Sequence, residues 1–137
     1  MFMDQFNYRV EFDDFAERHY IKKFKKKYQG KWLATEKIIR NICERIDNML
    51  LHNRADLIYS IGIHKLVKLD FAIEGTQISP KASGNRCILF IDEDIRLVRV
   101  LLVYSKNEIT SPHETEKWKK IIKDEYAEIS DIFSDCI

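Results

Sequence analysis

Apolar and polar positions change rhythm several times along the chain. Tyr8-Arg9-Val10-Glu11-Phe12 alternates, as a short first strand does. Ala16, Tyr20, Phe24 and Tyr28 then recur at every fourth position and leave Lys22, Lys23, Lys25 and Lys26 toward solvent. That spacing predicts an amphipathic helix, capped by Asp13 or Asp14 and broken by Gly30. Trp32, Ile39, Ile42, Cys43, Ile46, Met49 and Leu50 form the stripe of a second helix, which fades at His52-Asn53. From Ile61 the period becomes two. Ile61, Ile63, Val67, Leu69, Phe71 and Ile73 point one way, while His64, Lys68 and Asp70 point the other, so one face of this strand is polar. After a loop from Glu74 to Ala82, two apolar runs, residues 86–91 and 97–104, flank the acidic turn Asp92-Glu93-Asp94. Ser111-Pro112-His113-Glu114 offers an N-cap, a proline at the first helical position and a capping-box glutamate. Trp118, Ile121, Ile122, Ile129, Ile132 and Phe133 continue as the apolar stripe of a last helix. The expected order is β-α-α-β-β-β-α. This is an α+β fold, a mainly antiparallel sheet with a helical hairpin on one face and a C-terminal helix. No repeat or linker interrupts it, so residues 1–137 read as a single domain.

Composition narrows the classes without choosing among them. The chain has 137 residues, 45% hydrophobic and 33% charged, which suits a folded soluble domain. Its apolar runs fall well short of the roughly 18 residues needed to span a bilayer, so no membrane association is expected. Met1-Phe2-Met3-Asp4-Gln5 lacks the basic start and apolar core of a secretory leader. Three scattered cysteines, Cys43, Cys87 and Cys136, fit neither a disulfide framework nor a zinc site. The expectation is a cytoplasmic protein with reduced thiols, no metal and no cofactor. The net charge of +1 hides an uneven distribution. Residues 18–40 carry nine Lys or Arg against the single acid Glu36, whereas residues 113–137 carry seven acids against four lysines. A basic field of this kind can steer a polyanion, although a lysine-rich solvated helix face is the plainer reading.

The candidate chemistry lies around the fourth predicted strand. In Ser83-Gly84-Asn85-Arg86, an arginine opens a buried-type strand, and Lys106 lies just beyond the end of its partner. Counted from Asp94, Arg86 is eight residues back and Lys106 twelve forward, which brings them to the same open end of the hairpin. With Lys81 in the preceding loop they suit an anionic ligand such as a phosphodiester. Snorkelling cations at a sheet rim are the structural alternative. Lys68 and His64 share the polar face of the preceding strand. His113 starts the last helix, where the helix dipole disfavours its protonated form and suits a neutral base. No glycine-rich phosphate loop, nucleophile elbow or His-Glu-x-x-His is present.

The stretch 83–107 resembles the RelE/ParE superfamily of bacterial type II toxins. Members show Ser-Gly-aromatic-Arg, an apolar strand, an acidic turn, and a second apolar strand ending in a small and a basic residue. Here these positions read Ser83-Gly84-Asn85-Arg86-Cys87-Ile88-Leu89-Phe90-Ile91-Asp92 and Val98-Arg99-Val100-Leu101-Leu102-Val103-Tyr104-Ser105-Lys106. Asn85 stands where the family has an aromatic, and no tyrosine follows the last strand, leaving His113 or Tyr104 as stand-ins.

The resemblance implies a toxin of a toxin–antitoxin system. RelE-like members are metal-independent endoribonucleases that cut mRNA in the ribosomal A site, the 2′-hydroxyl attacking the adjacent phosphate. On that pattern Arg86 stabilises charge on the phosphorane-like transition state. Lys106 acts as leaving-group acid or phosphate contact, with Lys68 and Lys81 as further catalytic candidates. Lys22, Lys23, Lys25 and Lys26 would contact ribosomal RNA. The implied partners are mRNA, the ribosome and a small antitoxin. ParE-like members share the fold and poison DNA gyrase without cleaving RNA, and an inactive interaction module is a third reading.

Overall fold

The computed structural model describes residues 7–109 and 112–137. Five strands form one sheet in the order β1-β5-β4-β3-β2: β1 (Arg9–Phe12), β2 (Asp56–Ile61), β3 (His64–Phe71), β4 (Asn85–Asp92) and β5 (Leu97–Tyr104). The edge strand β1 runs parallel to β5, and every other pairing is antiparallel. The α+β expectation holds, with helices on both faces of the sheet.

The first helical stretch follows the basic sequence. It opens with α1 (Asp14–Ala16), widens into a π-helical turn over Glu17–Ile21 and continues as α2 (Lys22–Glu44). The wide turn moves the buried position from Tyr20 to Ile21, so the stripe becomes Ala16, Ile21, Phe24 rather than a strict every-fourth pattern. Phe15 and Tyr20 pack with one core cluster while Ile21 and Phe24 belong to the other, because this helix crosses the sheet beside β5. The break expected at Gly30 falls one residue earlier. Gln29 takes φ 31° and ψ −118° and divides the two helical runs, while Gly30 stays in the second of them. Asp13 occupies the N-cap position without capping, because its carboxylate grips Arg99 in a bidentate pair at 3.1 and 2.7 Å. The second predicted helix ends early, at Glu44, and resumes as α3 (Ile46–Leu51) beyond Arg45.

The strand predicted from Ile61 is corrected. Ile61 ends a separate strand, β2, and Gly62-Ile63 turns the chain back into β3. Gly62 supplies the positive φ of 59° that this tight turn needs. Ile61 and Ile63, expected to point inward, are 41% and 43% exposed. A register shift between Leu57 and Tyr59 removes the alternation that would have marked β2 in the sequence. Beyond the turn the expected alternation holds. Val67, Leu69, Phe71 and Ile73 join the core under α2, and Leu66 faces the opposite side.

The last helix is also corrected. It runs as α5 (Glu114–Glu125) and α6 (Ala127–Ile132), divided at Tyr126, whose hydroxyl donates 2.8 Å to the Leu101 carbonyl. His113, with φ 72°, holds the N-cap place and Glu114 is the first helical residue, so Pro112 precedes the helix. Ser111, the expected cap, lies outside the described residues. The loop 74–82 contains a turn of helix, α4 (Pro80–Ser83). Trp118, Ile122, Ile129 and Phe133 cover Leu66, Ile88, Phe90 and Leu102, and Trp32, Ile39, Cys43 and Ile46 cover the other face. Cys43 and Cys87 are free and fully buried, and burial pushes the Cys43 thiol up to about 12. Among the described residues no helix is long and apolar enough to cross a membrane.

Candidate functional site

The end of the sheet where β3 stops, β4 starts and β5 stops is built by the Ser-Gly turn. Ser79 caps α4 by accepting from the Ala82 amide at 3.2 Å, and Pro80 opens the helix with its φ already set. Gly84 ends it in the left-handed conformation, φ 77°. The Ser83 hydroxyl lies 2.6 Å from the Phe71 carbonyl and accepts from the Asn85 amide at 3.0 Å, which ties the end of β3 to the start of β4. A Cβ on Gly84 would stand 2.7 Å from Lys106 Cδ, so the glycine is also what lets Lys106 lie across the turn. The Ser-Gly pair is thereby explained by backbone geometry, and the cations it positions are a separate matter.

The register aligns Asp70, Arg86 and Tyr104 across three neighbouring strands. Arg86 Nε stands 3.1 Å from Asp70 Oδ1 and 3.5 Å from Glu114 Oε2, and that same glutamate oxygen accepts from the Tyr104 hydroxyl at 2.7 Å. One guanidinium therefore serves two carboxylates. Arg86 Nε and Asp70 Oδ1 are buried without an aligned hydrogen bond, so their contact is mainly electrostatic. The Tyr104 phenol is driven far above its ordinary value, first by burial and then by the Glu114 hydrogen bond and charge. Arg86, which the sequence offered to an anionic ligand, has its charge compensated within the protein.

The other sequence candidates divide in two groups. Lys106 and Lys81 are exposed at the same end of the sheet and make no ion pair with a described residue. Lys68 lies on β3 two residues from Asp70, between Asp56 of β2 and Ile88 of β4, and is also unpaired among the described residues. His113 faces outward, 64% exposed, with Nδ1 3.3 Å from Glu116 rather than against Arg86. His64 is at the far end of β3, stacked on Phe90 with centroids 5.4 Å apart and 3.7 Å from Asp92. In the basic helix Lys23 reaches Glu108 at 3.4 Å and Lys25 reaches Glu17 at 3.5 Å, while Lys22 and Lys26 are exposed and unpaired among the described residues.

Sequence reasoning passed over two features. The carboxylates that hold Arg86 were legible only as a strand-face aspartate and a helix-start glutamate. The second feature is a cavity of about 180 Å³ between residues 23–28 and the loop after β5, bounded by Phe24, Lys27, Tyr28, Ser105, Asn107 and Glu108. It opens beside a shallower hollow that shares Lys23, Asn107 and Glu108 and continues to Phe15 and His19. The basic helix and the segment carrying Lys106 are thus walls of one groove. Among the described residues no three His, Cys, Asp or Glu side chains converge to hold a metal ion. Comparison with known proteins gave no match to a family model, a curated protein or a solved structure.

Proposed function

We propose that this protein is a RelE/ParE-type toxin that binds mRNA at the cationic end of its sheet and cleaves it on the ribosome, with an antitoxin as its silencing partner. The observation that carries the reading is the meeting of the basic helix with the segment that carries Lys106, distant from it in sequence. Lys23 and Lys27 of the helical stretch share a cavity with Ser105, Asn107 and Glu108, the neighbours of Lys106, one turn from Arg86 and Lys81. Preorganised cations on rigid elements are what a phosphodiester in an in-line transition state requires. In this reading the 2′-hydroxyl gives its proton to solvent water and attacks the adjacent phosphate, the P–O5′ bond breaks as its leaving oxygen takes a proton from Lys106 or from water, and the phosphate draws Arg86 away from Glu114. The element order is compatible with it: leaving out β2 and the four-residue α4, and counting the helical run before β2 as two helices divided at Gln29 and the last helix as one, the chain runs β-α-α-β-β-β-α. Purified protein added to a reconstituted translation reaction on a defined mRNA, with cuts mapped by primer extension, tests the proposal. Cuts in the A-site codon that require ribosomes are expected, and intact mRNA refutes cleavage.

One observation favours a second, non-cleaving reading. Arg86 is balanced by Asp70 at 3.1 Å and Glu114 at 3.5 Å, which leaves a weaker electrophile than a free arginine. A gyrase inhibitor or a silent binding module on the same scaffold needs no such electrophile. Inhibition of supercoiling together with intact mRNA selects the gyrase reading.

A further inference from the structure

We propose that the cavity between residues 23–28 and the loop after β5 is a pocket for one nucleobase with its phosphate, an inference that rests on the RNA reading and deepens it. Phe24 forms the floor. It stacks with Trp32, centroids 5.1 Å apart at 29°, and with Tyr28, 6.2 Å apart at 23°. Phe24 and Trp32 are buried, so of these three rings the half-buried Tyr28 is the one a flat ligand can reach. The cavity of about 180 Å³ holds a single base rather than a folded peptide or a helix.

Its polar groups are distributed as a nucleotide requires. The Tyr28 hydroxyl, the Asn107 side-chain amide and Lys27 Nζ line or border the cavity, and none hydrogen-bonds to a described residue. Lys27 Nζ stands 5.3 Å over the Tyr28 ring, so a base that stacks there displaces the ammonium, which then reaches the phosphate. Glu108 does not cancel that charge. Its carboxylate is occupied by Lys23 at 3.4 Å and by the Ser105 amide at 3.2 Å. A planar base on Tyr28 with its edge at Asn107 leaves its phosphate near Lys27, and the strand then leads toward Lys106. An asparagine amide pairs a base edge with one donor and one acceptor, the pattern that suits adenine.

The test is calorimetric titration of the purified full chain with AMP, with the hexamer rA6 and with rU6. Tyr28→Ala is expected to weaken rA6 binding about tenfold, the usual loss of one stacked base. Lys27→Ala and Asn107→Ala alter exposed side chains, so they leave the fold intact. The first should weaken rA6 and rU6 alike and reduce the salt dependence, and the second should narrow the preference for rA6. Tyr28→Phe, which keeps the ring, should retain most of the affinity and guards against misfolding of Tyr28→Ala. Hexamer binding well above that of AMP marks an RNA strand as the occupant, and equal binding marks a free nucleotide. Undiminished rA6 binding in Tyr28→Ala and Lys27→Ala, or no binding of any probe, overturns the pocket. Binding lost in these variants, together with intact mRNA when the parent protein is added to the translation reaction, would sink the nuclease reading and leave the pocket standing.

Discussion

Arg86→Ala is the substitution at which motif and structure give opposite expectations. A cation at a strand rim should be removable at little cost, yet the side chain is only 20% exposed and faces Asp70 at 3.1 Å and Glu114 at 3.5 Å. Two unit charges at this spacing interact by roughly 5 kcal/mol at an effective dielectric of 20, before the cost of taking them out of water is subtracted. Breaking a buried pair by deleting one partner costs about 3–5 kcal/mol, because the remaining charge stays buried and uncompensated. Here two carboxylates are stranded and face each other. All three side chains keep about a fifth of their surface in water, which screens the penalty. A loss of about 3 kcal/mol is therefore expected, corresponding to about 12 °C in Tm for a domain of this size. Urea unfolding followed by circular dichroism measures it. The control replaces the whole cluster: Arg86→Met with Asp70→Asn and Glu114→Gln should recover most of the stability, since a neutral set strands nothing. An Arg86→Ala protein within about 0.5 kcal/mol of the parent refutes the argument that these carboxylates depend on Arg86. A toxicity assay of Arg86→Ala is thus uninterpretable without its unfolding curve, whereas exposed Lys106→Ala tests chemistry alone.

Three further outcomes follow from local geometry. Gly84→Ala forces a Cβ into the left-handed region at φ 77° and within 2.7 Å of Lys106 Cδ. It should cost about 1–2 kcal/mol in thermal unfolding and displace Lys106 from the turn. Arg99→Lys keeps the charge but replaces a bidentate grip on Asp13, at 3.1 and 2.7 Å, by a single contact, and should lower stability by about 1 kcal/mol in a urea titration. The phenols of Tyr8, Tyr20, Tyr104 and Tyr126 are all raised, Tyr8 to about 12, chiefly by burial. A folded-state value above the unfolded one leaves their contribution intact below about pH 10 and removes it as pH rises through the folded values. Stability should therefore fall from pH 10 upward, and tyrosinate absorbance from these four should appear together with unfolding. Smooth titration of all four without loss of the far-ultraviolet signal would refute it.

The strands that carry the motif were the most legible part of the chain, because residues 87–91 are a continuous apolar run between a Ser-Gly turn and an acidic turn, and 97–104 beyond that turn is broken only by Arg99. What escaped reading were places where a local irregularity carries a long-range contact. β2 was hidden because the shift between Leu57 and Tyr59 breaks its period and leaves Leu57 and Ile61 half in solvent. The π-helical turn shifted the buried stripe from Tyr20 to Ile21, which a count in fours cannot anticipate. Asp13 reads as a helix cap by type and position, but Arg99, 86 residues away, outcompetes the helix for its carboxylate. The site failed in the same way. Lys106 and Arg86 were correctly sent to one end of the sheet, but sequence spacing does not show that Asp70 and Glu114 meet there.

Ion pairing, more than composition, decides which cations face a ligand. The chain is nearly neutral, with 23 basic and 22 acidic residues, yet several of its acids are taken by particular partners. Asp14 takes Arg18, Glu17 takes Lys25, Glu108 takes Lys23, Asp13 takes Arg99, and Asp70 with Glu114 take Arg86. Lys22, Lys26, Lys81 and Lys106 are left without a carboxylate among the described residues, and Lys27 rests on an aromatic ring. Lys27, Lys81 and Lys106 lie around the end of the sheet where the groove opens, so a protein of net charge +1 can present a cationic surface to a polyanion there. The same accounting reverses the ranking that a motif suggests. Arg86 is the best-matched position and the least available charge, while the exposed side chains of Lys106 and Lys27 can meet a phosphate without breaking an ion pair, Lys27 giving up only its place over the Tyr28 ring. Substitutions at those two lysines are therefore where binding can be separated from folding.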